Sequence, residues 1–227
     1  MNIVTIDNVT KTYRQGKVDV HALSGVSLDI HKGGFTVLAG PSGSGKTTLL
    51  NLMGGLDEPT SGSISLDGEV ITGLSQSRLA AMRLSKIGFV FQAYNLIPVL
   101  SAQENVEYVM LMQGVPARER SERARGVLDD VGLEDKYNRR PAELSGGQQQ
   151  RVAVARAIVS RPSIVLADEP TANLDSKTGQ GLLEIMREMN EKHGATFIFS
   201  THDQMVMDYA KRIVHLKDGM IEDDETR

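Results

Sequence analysis

A lysine and two threonines follow GPSGSG at Gly40 to Gly45, so an ammonium and a hydroxyl stand directly behind a stretch of nearly bare backbone. That combination is suited to phosphate. Glycines let successive N–H groups close around the anion, a Lys46 ammonium neutralises the β- and γ-phosphates, and a Thr47 hydroxyl can ligate Mg²⁺. The full string Gly40, Pro41, Ser42, Gly43, Ser44, Gly45, Lys46, Thr47 and Thr48 fits the phosphate-binding template, with Gly43 and Gly45 allowing close backbone approach. A glycine-rich turn that merely caps a helix would account for neither the lysine at that offset nor the hydroxyl after it.

A second constellation is IVLADE, Ile164 to Glu169, an apolar strand that delivers two adjacent carboxylates to its C-terminal end. Ligands bind at such ends in open α/β sheets. Strand alternation turns neighbouring side chains in opposite directions, so Asp168 can face the metal while Glu169 faces the water that attacks the γ-phosphate. A solvated strand end with a turn at Pro170 is the plainer alternative, and proximity to a phosphate loop argues against it.

The third is LSGGQ, Leu144 to Gln148. Ser145 and Gln148 have capping-box spacing and the apolar Val152 to Val159 suits a buried helix, so this string also starts a helix. Gly146 and Gly147 in the first turn each cost up to about 1 kcal/mol relative to Ala, which implies an offsetting gain. Bare backbone at a helix N-terminus beside a serine hydroxyl is a second anion site.

These residues need strands and helices to hold them. Phe35 to Ala39 reads as the buried strand before the phosphate loop, and Thr47 to Met53 as the helix after it. Ile3 to Tyr13 alternates cleanly and Val18 to Ile30 less so, giving strands ahead of the loop; Ser63 to Asp67 and Val70 to Ile71 form a short pair turned at Asp67 and Gly68. Leu79, Met82 and Leu84 mark a helical face before a strand at Ile87 to Phe91, closed by Gln92. Ser101 with Glu104 signals another helix start, and Ala117 to Val131 is a charged amphipathic helix stopped by Gly132. Strands at Ile164 to Ala167, Phe197 to Ser200 and Ile213 to Leu216 then alternate with a helix from Ser176 to Lys192, ended by Gly194, and a short helix after Asp203. This is the βαβ pattern of a mostly parallel, covered sheet. The closing EDDETR reads as a frayed acidic tail.

The chain has 227 residues, room for one substantial core with an appended subdomain. With 25 basic against 29 acidic residues and a net charge of −4, it offers no general basic footprint to nucleic acid. No cysteine is present, which removes disulfides and thiolate catalysis and fits a reducing compartment. MNIVTIDNVTKTY alternates like a strand instead of presenting a charged head and an apolar core, and no run of 18 apolar residues occurs. Direct membrane insertion is not expected; a membrane role would come through a partner.

With these strings in place, the chain is similar to the nucleotide-binding subunits of ABC transporters over essentially its whole length. LSGGQ is that family's signature. The resemblance implies a P-loop ATPase fold of ABC type over residues 1–227: a mostly parallel core sheet with an antiparallel β subdomain and a helical subdomain inserted at about 93–160. It implies ATP and Mg²⁺ as ligands, ATP hydrolysis as activity, and a homodimer in the ATP-bound state. Ser145, Gly146, Gly147 and Gln148 of one chain would then cover the nucleotide on the other.

Tyr13 resembles the aromatic that stacks on adenine, although a half-buried strand tyrosine would look the same. Gln92 resembles the glutamine that touches Mg²⁺ and the attacking water, so the implied metal ligands are Thr47, Gln92 and Asp168. Asn173, Leu174 and Asp175 resemble the segment that crosses the dimer interface. His202 stands where the family places the histidine that senses the γ-phosphate. With Lys46, Gln92, Glu169 and His202 all present, active hydrolysis is expected.

GGLDEPTSG at Gly54 to Gly62, FVFQAYNLIPVLSAQENV at Phe89 to Val106 and PTANLDS at Pro170 to Ser176 look most like the lipoprotein-release and macrolide-export branch. That implies a transmembrane permease with four helices per subunit and a large extracytoplasmic domain, moved by mechanotransmission, with this chain peripheral on the cytoplasmic face of the membrane. Leu96, Ile97, Val99 and Leu100 either dock a short permease helix or pack into the helical subdomain. Relatives acting on chromosomes, DNA repair or ribosomes need a coiled-coil insertion, a zinc module or tandem heads, none of which is expected here. A cell-division type of regulator, whose ATP cycle licenses a partner without moving cargo, uses the same motor and stays open.

Overall fold

In this computed structural model, which describes residues 1–16 and 18–227, two long strands open the chain. β1 (Asn2–Gln15) and β2 (Val18–His31) pair antiparallel, from Asn2 opposite His31 to Gln15 opposite Val18. Then come β3 (Phe35–Ala39), α1 (Lys46–Met53), β4 (Ser61–Leu66), β5 (Glu69–Val70) and α2 (Gln76–Lys86). The middle holds β6 (Ile87–Val90), α3 (Ala102–Met112), α4 (Ala117–Asp130), α5 (Gly146–Ile158), β7 (Ile164–Asp168) and α6 (Ser176–His193). β8 (Thr196–Thr201), α7 (Gln204–Asp208), β9 (Arg212–Lys217) and β10 (Met220–Thr226) follow. The elements divide into two compact units, Met1–Arg83 with Thr196–Arg227, and Leu84–Ala195.

The first unit contains an antiparallel sheet in the order β2-β1-β4-β5. Val26, Leu28 and Ile30 alternate with exposed Ser27, Asp29 and His31, so β2 buries one face only. Asp67 and Gly68 turn β4 into β5 with φ of 52° and 77°, the left-handed pair that a tight hairpin needs. A second set of strands runs β10-β9-β3-β8. β3 lies between β9 and β8, parallel to both, and all five of its residues are buried, which explains its unbroken apolar sequence. Phe35 packs against Phe197 and Phe199 with ring centroids 5.7 and 4.6 Å away. Such pairs add about 0.5–1.5 kcal/mol each beyond area burial.

One expectation is overturned in this unit. The acidic C-terminus is not frayed: β10 pairs antiparallel with β9 from Met220 opposite Lys217 to Thr226 opposite Arg212. Asp218 and Gly219 turn the hairpin at φ 49° and 76°, and Arg212 grips Asp224 through two bonds of 2.8 and 2.6 Å. Paired backbone and this fork hold a strand whose acidic sequence reads as solvated tail.

In the second unit, β6 and β7 pair parallel, with Ile87 opposite Ile164 and Val90 opposite Ala167. α5 is buried on most of its surface and packs against α3, α4, α6 and β6. Ala102, Val106 and Met110 of α3, Ala124 and Leu128 of α4, and Val152, Ala155 and Val159 share one apolar core. α3 starts on the Ser101–Glu104 capping box, which is present in full. The charged run of α4, expected as a solvated face, is so only in part: Arg118, Glu119, Glu122 and Arg125 are exposed, whereas Arg120 and Arg123 are partly buried and donate to the carbonyls of Val115 and Val159. α6 is amphipathic, burying Leu182, Leu183, Met186 and Met189, and ends on left-handed Gly194. In the Leu96 to Leu100 segment, Leu96 packs against the helical core and Val99 is 71% exposed.

Candidate functional site

The phosphate loop lies in the first unit, between buried β3 and α1. α1 begins on Gly45 at φ 101°, with no side chain capping its first turn. A Cβ on Gly45 would stand 2.6 Å from the Ala22 carbonyl oxygen, so the position requires glycine by packing as well as by conformation. The Lys46 side chain is buried, and its Nζ donates to the carbonyls of Gly40 and Pro41 at 2.7 and 2.8 Å, which folds the ammonium over the loop. Pro41, Ser42 and Gly43 are exposed at the tip, as is Thr47, with Thr48 half-buried.

Ser44 is 2% exposed, and its Oγ is buried with no hydrogen-bond partner among the described residues. Buried hydroxyls are nearly always bonded. A phosphate oxygen drawn into the loop would supply a partner, so the residues present fit a phosphate group.

β8 runs beside β3 in parallel register, Ala39 opposite Thr201, so Gly40 and His202 leave their strands at one level. His202 is exposed, followed by Asp203, which caps α7 by accepting from the Met205 N–H at 2.9 Å. Tyr13 in β1 is half-buried, and its hydroxyl donates to Asp57 Oδ2 at 2.7 Å. Lys11 Nζ lies 4.8 Å from the Tyr13 ring centroid and donates to Asp57 Oδ1 at 2.7 Å. Burial and then the bond to Asp57 push the Tyr13 phenol above its ordinary range, against an opposing bond with Thr48. Burial would raise Asp57, but Lys11, Tyr13 and the Glu58 N–H together hold it below the usual carboxylate range. Asp57 was not among the sequence candidates, although it stands inside GGLDEPTSG; a lone acid in a turn motif carries no signal of the tyrosine it holds.

The remaining candidates lie in the second unit. Asp168 ends β7, and Glu169 leaves the strand at φ 44°. The direction of Glu169 is thus set by a left-handed turn and not by strand alternation, at a cost of order 1–3 kcal/mol for a non-glycine residue. Both carboxylates are half-buried. Gln92 lies just beyond β6, exposed, with its carbonyl accepting from Asn173 Nδ2 at 2.9 Å. Asp175 caps α6, accepting from the Thr178 N–H at 3.0 Å and the Thr178 hydroxyl at 2.6 Å. Those two bonds, the hydroxyl's first, lower its pKa.

LSGGQ opens α5 with a complete capping box: Ser145 Oγ accepts from the Gln148 N–H at 3.3 Å, and Gln148 Oε1 accepts from the Ser145 N–H at 2.9 Å. A Cβ on Gly147 would meet Thr178 Cγ2 at 2.3 Å, and one on Gly146 would meet the Tyr94 hydroxyl at 2.8 Å. Close packing therefore accounts for part of the glycine requirement that the sequence assigned to anion binding alone.

Among the described residues no group of three or more His, Asp or Glu side chains could hold a metal. The implied magnesium donors, Thr47 in one unit and Gln92 and Asp168 in the other, include one carboxylate. Mg²⁺ suits so few protein ligands, since it retains water and phosphate oxygens. No helix among the described residues is long and apolar enough to cross a membrane. Clefts of about 360 and 440 Å³ in the second unit are lined by groups such as Glu134, Arg139, Gln103 and Arg140, none of them a candidate residue.

A buried strand, a glycine loop with its lysine, and an uncapped helix define a P-loop nucleotide-binding protein. The family model described as ABC transporter matches residues 23–172. An uncharacterised ABC transporter ATP-binding protein of Thermotoga maritima is 49% identical, covering 99% of this chain and 96% of its own. A macrolide export ATP-binding/permease protein, MacB, of Syntrophobacter fumaroxidans is 47% identical, over 98% of this chain but 31% of its own length. The ATP-binding cassette MJ0796 of Methanocaldococcus jannaschii, solved as a dimer in a post-hydrolysis state bound to ADP and Pi, superimposes with a TM-score of 0.91 at 45% identity, over 98% of both chains. The chain belongs to the ABC transporter family, as an ATP-binding subunit with ATPase activity.

Proposed function

We propose that this chain drives a transmembrane permease by ATP-dependent pairing with a second copy of itself, in the manner of macrolide-export and lipoprotein-release systems, from the cytoplasmic face of the membrane. The observation that carries the nucleotide half is the buried Ser44 Oγ, without a partner among the described residues, inside a loop whose helix has no side-chain cap. The pairing half is supported by the related cassette MJ0796, which was solved as a dimer. MacB, a relative that joins ATP-binding and permease parts in one protein, supports the membrane partner.

Lys46 and the loop N–H groups hold the β- and γ-phosphates, and Tyr13 stacks on adenine. Thr47, Asp168 and Gln92 are the residues that would hold Mg²⁺, which when bound would neutralise phosphate charge. Glu169 orients and polarises the attacking water, and His202 bonds the γ-phosphate. Ser145, Gly146 and Gly147 of the second copy cover the same nucleotide, with Asp175 at the interface. Catalysis is then positioning and charge stabilisation.

The test is Glu169→Gln. This variant should bind ATP normally and accumulate as a dimer on sizing with saturating ATP; a variant that stays monomeric there contradicts the proposal.

A further inference from the structure

α5 reaches two of the proposed hydrolytic residues through their backbone. Gln150, two residues beyond LSGGQ, is 0% exposed, and its Nε2 donates to the Pro170 carbonyl at 2.7 Å and the Phe91 carbonyl at 3.3 Å. Phe91 is the residue before Gln92, and Pro170 is the residue after Glu169. Both acceptors are carbonyl oxygens, so only the NH₂ end of the amide can face them. Further along the same helix, Arg156 donates to the carbonyls of Tyr94 and Asn95, the former at 2.9 Å. Those two residues sit in the left-handed region, at φ 57° and 50°, which asparagine tolerates but which the tyrosine adopts only with support. Burial lowers the pKa of Arg156, a cost that two carbonyl acceptors help to offset.

We propose that Gln150 is a positioning residue for hydrolysis: from the helix that begins with Ser145, Gly146 and Gly147, its amide fixes the main chain carrying Gln92 and Glu169 of the same chain. The proposal rests on the reading of Gln92 and Glu169 as the residues that act on water and metal. Its consequence is directional. A helix is rigid over one or two turns, so a displacement at Ser145 reaches the Gln92 loop and the Glu169 turn through Gln150 and Arg156, a contiguous physical path. In a head-to-tail pair, the signature helix engaged on one nucleotide would thereby hold the hydrolytic residues that serve the other.

The experiment compares Gln150→Glu, which keeps the shape but sets oxygens against the two carbonyls, with Gln150→Met, which keeps the volume without a donor. Each is measured for ATP affinity, for steady-state kcat, and for ATP-driven dimerisation in the Glu169→Gln background. kcat should fall about 10- to 100-fold, the scale of a small misplacement remote from the bond that breaks. ATP affinity and dimerisation should stay within about twofold, a split that simple loss of core packing would not give. A kcat within twofold of the parent in either folded variant overturns the positioning role, as does parallel loss of affinity, dimerisation and kcat. Should Glu169→Gln itself hydrolyse ATP at the parent rate, the underlying reading fails and the proposal with it; full activity of the Gln150 variants beside an inactive Glu169→Gln overturns the positioning role alone.

Discussion

α1 and α5 both carry glycine at their N-terminal ends, yet their first turns are satisfied in opposite ways. α1 starts on left-handed Gly45 without a side-chain cap, beneath a lysine folded across the loop and beside a buried hydroxyl that lacks a partner among the described residues. α5 starts on Ser145, whose side chain and backbone exchange bonds with Gln148, and its glycines lie tightly against Thr178 and Tyr94. The first is a receptor incomplete without its anion. The second is a finished helix end that presents a hydroxyl and glycine backbone outward, so phosphate there adds to a structure already satisfied. One end should hold nucleotide by itself, and the other should recognise nucleotide held elsewhere.

Breaking the first end should have the largest effect. Lys46→Ala should weaken ATP binding about 100-fold, on the scale of losing charged hydrogen bonds worth about 1.5–3 kcal/mol; calorimetric titration reads it, and unchanged affinity would contradict the loop assignment. At the second end, Gly147→Ala sets a methyl against Thr178 Cγ2 and should cost about 1–3 kcal/mol of stability in urea denaturation. Adding Thr178→Ser removes that methyl, keeps the hydroxyl bonded to Asp175, and should recover most of the loss.

Ser44→Ala sharpens the contrast with a smaller change. ATP affinity should drop about 2- to 12-fold, the value of a hydrogen bond worth about 0.5–1.5 kcal/mol, whereas thermal stability without nucleotide should hold or rise because an unpaired buried hydroxyl is gone. A fall in that stability would mean the hydroxyl already has a partner.

The smallest effect concerns Asp57. Its folded pKa lies below the unfolded value of about 3.9, so its contribution is present above that value and is lost as pH falls through the folded pKa. Between pH 7 and pH 3 the parent should lose more stability than Asp57→Asn, and equal losses in paired urea titrations would remove Asp57 from the acid response.

Legibility in the sequence followed the locality of the interaction. β3, the phosphate loop and both capping boxes depend on residues within a few positions of one another, and they form as the spacing predicts. The hairpin at Asp67 and Gly68 was readable from that dipeptide between strands; Asp218 and Gly219 carry the same signal, hidden because the residues after it are acidic. β10 depends on Arg212, which lies across the turn from Asp224. Gln150 was invisible for a related reason. In QQQ at Gln148 to Gln150, one glutamine caps the helix while another is buried under Pro170 and Phe91, and only the rotation of α5 distinguishes them. Nor could pattern reveal the left-handed backbone at Glu169 and Tyr94, since neither residue favours it.

The central claim is that each chain's LSGGQ completes the nucleotide site of another. Because the chain lacks cysteine, single thiols can be placed at will. A Ser42→Cys chain and a Ser145→Cys chain, both carrying Glu169→Gln, should be mixed with a short bis-maleimide cross-linker, with and without ATP. The account predicts a covalent heterodimer that forms only with ATP and only in the mixture; ATP-dependent cross-linking of Ser42→Cys chains to each other, with none in the mixture, would contradict it.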